Sequence, residues 1–337
     1  MTQIIRSRLQ LVSKISGSCC MEQNDVMRLF YYLFPLTAVL IWSGNNVVGK
    51  IAASEIAPEA ISFYRWALAA LLLTPFCFKA ARRHWSVIRQ HKLKLFILTL
   101  LGMVIYQSLS YVAAHSIPAT NIGVILALTP LLTVLISVPA FGISVTWGIV
   151  CGVLISFYGV AFFMSGGHPA TLLSGFGQGD ILMLVATLSY ALYGVMVKYW
   201  KVPLPTWVFI YAQAVIAACT LLPTFLLGST DPITPRSAPL ILYAGILASI
   251  LAPALWVIAL NKLSAHNTAI FMNLMPVFTT LIAVVLLSES LHSYHYVGGG
   301  LTLAGVILSQ SWHRPLRKKA AHGVPNPEHP ALNLNRS

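Results

Sequence analysis

Charge is what this sequence has least of: 9% of its 337 residues are Asp, Glu, Lys or Arg, against about 25% in an ordinary soluble domain. Carboxylates are scarcest, 8 against 21 basic residues. Glu55, Glu59, Asp180, Asp231 and Glu289 fall at or near the ends of apolar segments, and Glu22, Asp25 and Glu328 lie in the tails. No carboxylate sits in the middle of an apolar segment, which excludes a proton relay deep in such a region. There is no phosphate-binding GxxxxGK(S/T) loop, which excludes ATP-driven work by that motif. The five cysteines form no disulfide framework and no metal-ligand spacing. Cys77, Cys151 and Cys219 stand singly in apolar stretches as small core residues. Residues 1–29 lack the apolar core and small-residue cleavage site of a signal peptide. They read as a disordered lead in which Met21 or Met27 is as good a start as Met1, and Cys19 and Cys20 are open to palmitoylation.

What is present is apolar length. The chain is 57% apolar with a mean hydropathy of +0.78. Windows of about 20 residues, the length that crosses a bilayer, mark ten candidate spans: 30–52, 59–78, 94–113, 119–140, 144–165, 180–199, 205–228, 238–260, 267–288 and 294–312. The expectation is an all-α integral membrane protein with no sizeable soluble domain.

The net charge of +13 would suit nucleic acid if it lay on a soluble face. Instead 18 of the 21 basic residues fall in alternate connections: Arg6, Arg8, Lys14 and Arg28; Lys79, Arg82, Arg83, Arg89, Lys92 and Lys94; Lys198, Lys201 and Lys262; Arg314, Arg317, Lys318, Lys319 and Arg336. Lys50 and Arg236 fall on the other side, and Arg65 lies within a span. By the positive-inside rule both termini are cytoplasmic. The basic excess is a topology signal, and nucleic acid is not an expected partner.

The chain repeats itself. IPATNIGVILALTP (117–130) aligns with LSAHNTAIFMNLMP (263–276) at a shift of 146, pairing Asn121 with Asn267, Pro130 with Pro276, Gly152 with Gly298 and Gly159 with Gly305. Near the start of each half the shift is 147 to 148, pairing Trp42 with Tyr190, Lys50 with Lys198, Tyr64 with Tyr211 and Pro75 with Pro223. Expected boundaries are 30–165 and 180–312 for two five-helix repeats, with a basic cytoplasmic tail at 313–337. Because five is odd, the second unit crosses in the opposite sense, the inverted repeat of many secondary transporters. Such halves exchange conformations at nearly equal energy, which is the physics of alternating access around a central cavity.

Candidate substrate contacts are polar or helix-breaking groups at membrane depth. Pro130 and Pro276 each free a carbonyl of the preceding turn. With Thr129, Thr133, Asn273, Thr279 and Thr280 around them, they mark either a cavity or a packing kink. Tyr106, Gln107, Ser110, Tyr111 and Ala114 form one helical stripe, and Asn121, Thr129, Thr133 and Ser137 another. Ser189, Tyr190, Tyr193, Tyr211, Gln213 and Trp256 add polar groups from later spans. The competing reading is interhelical bonding, about 0.6 kcal/mol apiece. Within WSGNNVVGK (42–50), helical spacing puts Trp42, Asn46 and Gly49 on one face and makes Asn46 a better substrate contact than Asn45, with Lys50 an interface anchor. Arg65 has two readings, an intramembrane functional charge that attracts a carboxylate or phosphate, or a side chain that snorkels to the nearby interface. Glu289 with His292 stands as either a titrating pair or a solvated loop pair, and Asp180 as a helix cap. The small faces Gly148/Gly152 and Gly298–Gly300/Gly305 suit close helix packing, within a monomer or between protomers of a homodimer.

At these residues the chain resembles the EamA family of the drug/metabolite transporter superfamily. WSGNNVVGK with Pro58, Arg65 and Pro75 is similar to the family's first two helices, and SIPATNIGVILALTP to its third-to-fourth junction. LSAHNTAIFMNLMPVFTTLIAVVLLSE, ending in Glu289, is similar to the same element in the second half. The resemblance spans about residues 30–312 and implies a ten-helix bundle that exports amino acids, related metabolites or drugs from the bacterial cytoplasm. One departure is that Glu289 aligns with Ile143, so any coupling role for that carboxylate is asymmetric or absent. The expectation is therefore an inner-membrane exporter of small amphipathic metabolites, amino acids foremost, working without ATP or cofactor. The rivals are an intramembrane enzyme, disfavoured because the histidines sit at segment ends or in tails, and a non-transporting receptor, which has no need of the repeat.

Overall fold

A computed structural model describes residues 31–141, 146–168, 177–228, 230–263, 268, 271–312 and 314. The expectations for the N-terminal lead, Cys19, Cys20, Ile143, Asn267 and nearly all of the C-terminal tail lie outside the described residues. Every described element is helical. We label α1 Leu33–Ala52, α2 Pro58–Arg83, α3 (Lys92–Thr99, Leu100–Ile105 and Tyr106–Ser116), α4 (Ala119–Leu126 and Thr129–Phe141) and α5 Trp147–Met164. The second half holds α6 Gln178–Trp200, α7 Thr206–Leu227, α8 (Ser237–Leu242, Tyr243–Leu251 and Ala252–Lys262), α9 (Phe271–Leu274 and Met275–Leu287) and α10 Ser293–Ser311. A short helix, Trp85–Gln90, joins α2 to α3.

Among the described residues, six helices are long and apolar enough to cross a membrane: α2, α3, α4, α6, α7 and α8. In α5 and α9 the apolar helices Trp147–Phe163 and Phe271–Leu287 are shorter. At 20 residues α1 has the length, but Asn45, Asn46 and Lys50 interrupt its apolarity.

The packing repeats with the sequence. α5 lies on α10, α2 on α7 and α4 on α9; α1 packs on α8 as α6 packs on α3, and α1 on α9 as α6 on α4. For these pairs, advancing every helix by five returns the same neighbours. Irregularities recur too: α3 and α8 both widen to π-helix, at Leu100–Ile105 and Tyr243–Leu251. Both α4 and α9 break just before Thr129–Pro130 and Met275–Pro276. A π turn leaves carbonyls poorly used by their own helix, and a neighbour takes one in each half. Trp42 Nε1 donates to the Ala248 carbonyl at 3.1 Å and Ser189 Oγ to that of Leu101 at 2.8 Å, a pair related by the 147-residue shift on both sides.

α5 and α10 run antiparallel. A Cβ on Gly152 would lie 2.5 Å from the Gly305 carbonyl oxygen, and one on Gly159 2.8 Å from that of Gly298. Midway, Ser156 Oγ donates to the Thr302 carbonyl at 2.9 Å, joining residues 146 apart. Repeat partners thus meet across an approximate two-fold axis that crosses the helices. Since backbone occupies the space any side chain would need, Gly152→Leu is expected to destabilise the protein by about 1–3 kcal/mol. Gly299→Leu, where nothing lies within 4 Å, is the control. Thermal unfolding in detergent checks both, and an unchanged Tm for Gly152→Leu would contradict this packing.

Candidate functional site

The sequence-predicted residues gather into two connected groups and one set apart. In the first, α2 brings Arg65 into the bundle. Its side chain does not snorkel: Arg65 is 4% exposed. Nε donates to Ser249 Oγ on α8 at 2.7 Å, and Nη1 to Tyr111 Oη on α3 at 3.1 Å. Ser249 is itself oriented by donating to the Ala244 carbonyl five residues back, at 2.8 Å within the π segment, so the irregular turn holds the acceptor that holds the arginine. The guanidinium carbon also lies 5.2 Å from the Trp66 ring centroid, a cation–π contact. Among the described residues Arg65 has no carboxylate partner and its other N–H groups have no protein acceptor.

Trp42 joins this group through the Ala248 carbonyl and packs on Trp256, ring centroids 5.5 Å apart. The two asparagines divide differently from the expected face. Asn46 points to α9, where its Nδ2 donates to Thr279 Oγ1 at 3.1 Å. Asn45 has no partner, and its Oδ1 is fully buried.

The second group is aromatic. Tyr106 of α3 stacks near Tyr190 of α6 at 4.6 Å between centroids, Tyr190 lies 5.8 Å from Tyr193, and Tyr193 Oη donates to Gln213 Oε1 of α7 at 3.3 Å. Gln213 is wholly buried and its Nε2 is unpaired. α3 links the groups, carrying Tyr106 in the one and Tyr111 in the other, with Gln107 between them. Gln107 is buried. The centre is a polar core: Asn45, Asn46, Arg65, Gln107 and Gln213 are all buried.

The proline breaks form the set apart. Thr129 Oγ1 donates at 2.7 Å to the Leu126 carbonyl, the group that Pro130 leaves without its helical donor, so Thr129 is engaged in closing its own kink. Pro276 is buried where α9 crosses α4, its Cα 3.5 Å from a Cβ placed on Gly123. Asn273 is half-buried in the 3₁₀ turn before it.

At the end of the bundle shared by Ala52, Ser116 and Leu287, carboxylates tie the halves together. Glu289 does not pair with His292; both its oxygens cap the N-terminus of α4, accepting from Ala119 N at 2.8 Å and Thr120 N at 3.1 Å. Asp231 caps the start of α2 through Ala57 N at 2.8 Å. Asp180 caps α6 as expected, accepting from Gly177 N at 3.0 Å, and also receives Asn121 Nδ2 of α4 at 3.4 Å. Lys50 is a helix cap as well as an end residue, its Nζ donating to the Ala114 carbonyl at the C-terminus of α3 at 2.7 Å. A cavity of about 480 Å³ opens here between Lys50, Ser54, His115, Leu287 and Glu289. No cluster of metal-ligating side chains occurs among the described residues.

Sequence reasoning missed the contacts of Ser249 and Asp231. These π-turn and loop residues carry no motif.

Comparison with known proteins bears on the family and the fold. The profile of the EamA-like transporter family matches twice, over residues 29–165 and 177–310. A protein of Archaeoglobus fulgidus named as an uncharacterized transporter is 28% identical over 302 residues, covering 83% of this chain and 96% of its own. A probable terminal-alkyne amino-acid exporter of Streptantibioticus cattleyicolor is 25% identical over 209 residues, covering 61% of this chain and 69% of its own. One solved structure superposes with a TM-score of 0.60 at 19% identity, over 86% of this chain and 98% of that one.

Proposed function

The chain belongs to the EamA-like transporter family, a multi-pass membrane fold, and on that premise we propose that it is a secondary exporter of amino acids or closely related metabolites. It spans the inner membrane ten times as two inverted repeats, with both termini cytoplasmic, and works by alternating access. The observation that carries the substrate class is Arg65. A guanidinium within a membrane helix costs up to about 2.5–3.5 kcal/mol, yet this one is held by two neutral hydroxyls with donors to spare. That is the chemistry of a site awaiting an anionic group. The amino-acid exporter among the relatives favours a carboxylate as that group.

In this topology the Glu289 and Asp231 caps close the outer end, and the aromatic group of Tyr106, Tyr190 and Tyr193 lies on the path from the cytoplasmic side. Outward opening then requires the capped N-termini of α2 and α4 to part from the second-half loops. Glu289 acts in coupling by making and breaking that cap. The chain is expected to raise the rate at which loaded bacterial cells release amino acids into the medium, relative to cells carrying Arg65→Gln. Equal release for every amino acid measured would contradict export.

A further inference from the structure

We propose that Asn45 and Arg65 together form a clamp for the charged head of an α-amino acid, the carboxylate on Arg65 and the ammonium on Asn45. This inference rests on the amino-acid reading above and assigns the residues that enforce it.

The placement follows from α1. Trp42, Asn45 and Gly49 stand at i, i+3 and i+7, one stripe on the helix. At its lower end Trp42 donates to the Ala248 carbonyl of α8, and at its upper end Gly49 faces the Tyr111 ring of α3, whose carbons would lie 3.5 Å from a Cβ there. Asn45 sits between. Arg65 reaches the same two places from α2, bonding Ser249, the residue after Ala248, and Tyr111 itself. The asparagine is thus set over the arginine's anchoring points.

Both groups have hydrogen-bonding capacity to spare. Asn45 is 9% exposed, and its buried Oδ1 has no donor; an orphaned acceptor at such depth is a standing cost that a ligand can remove. Arg65 offers N–H groups with no protein acceptor. Arg65 can receive an anion, and Asn45 a hydrogen-bond donor. A zwitterionic α-amino acid carries both on a single carbon, pairs its carboxylate with the arginine, and brings no net charge into the core. Asn46 turns instead to α9, where its Nδ2 donates to Thr279 Oγ1. The substrate side chain would extend past Gln107, one turn from Tyr111 on α3, toward the aromatic group. A carboxylate-only ligand would leave Asn45 orphaned, and an amine-only ligand would put two cations together.

The test is counterflow into liposomes carrying the full chain, with labelled amino acids competed by the same amino acids after N-acetylation or after methyl esterification. With the unmodified protein each change is expected to weaken competition about tenfold to a hundredfold, the range for losing a hydrogen bond to a charged group. In Asn45→Leu the penalty for N-acetylation should fall to within about twofold of none, while the penalty for esterification stays. Asn45→Ser, which keeps an acceptor and a small volume, should retain part of the N-acetyl penalty and guards against a folding failure in the leucine variant. If amino acids are transported but both penalties are unchanged in Asn45→Leu and Asn45→Ser, the clamp is overturned and the function stands. If the unmodified protein moves no amino acid, the functional reading itself fails and the clamp with it.

Discussion

Arg65→Gln is expected to lower amino-acid counterflow about a hundredfold while leaving the protein as stable as before or slightly more so. The two halves of that expectation have one cause. A structural buried ion pair loses about 3–5 kcal/mol when one partner is removed, because the other charge is stranded. Arg65 has no carboxylate partner among the described residues, so its removal strands nothing; it releases two hydroxyls, Ser249 and Tyr111, which glutamine can still reach in part. The desolvation cost of the guanidinium disappears at the same time. A residue whose loss spares the fold and abolishes transport is a substrate contact. Arg65→Lys should recover a fraction of the rate, since it restores charge without the forked donors. Thermal unfolding and initial counterflow rates measured on the same preparations separate the cases, and a parallel fall in Tm and rate would mark Arg65 as structural.

The second large effect concerns the outer end. Glu289→Gln combined with Asp231→Asn should raise the outward-open population about tenfold or more, because each carboxylate cap contributes about 0.5–2 kcal/mol and 1.4 kcal/mol is a factor of ten. Both caps are made by second-half loops to first-half helices. The repeat gives no counterpart at the opposite end: Glu289 aligns with Ile143 and Asp231 with His84 at the 147 shift, and the first half's carboxylates, Glu55 and Glu59, lie at the capped end too. The closed outer end is therefore favoured by an asymmetry written in the carboxylates. A reporter Ala114→Cys, buried at this end, in a background with the native cysteines replaced, should react faster with an external maleimide in the double variant. An unchanged reaction rate would show that the caps do not hold the gate.

Much of the fold was legible because membranes constrain sequence tightly. Apolar length located the helices to within a few residues except at the α2 end, where the helix runs on to Arg83 and a short helix follows. The alignment of Ile117–Pro130 with Leu263–Pro276 located the paired helix breaks, since a proline in a helix has few alternatives. The small faces at Gly152 and Gly298–Gly305 indicated close packing without saying whether within a monomer or between protomers; the structure pairs α5 with α10. What stayed hidden depends on which neighbour a side chain meets. The π segments at Leu100–Ile105 and Tyr243–Leu251 carry no mark in their residues, yet they supply the carbonyls that receive Trp42 and Ser189. Helical spacing grouped Trp42 with Asn46, but the stripe facing α8 and α3 runs through Asn45, and Asn46 turns to α9. Arg65 read evenly as interior or snorkelling, because seven residues from a helix end allow both; contacts from α3 and α8 decide it.

The most direct measurement is counterflow of labelled amino acids by the purified protein in liposomes, run beside Arg65→Gln. The account predicts saturable uptake of at least one zwitterionic amino acid by the unmodified protein, and a rate near the protein-free background for the variant. Equal uptake by the two proteins, or no uptake of any amino acid by the folded unmodified protein, would contradict it.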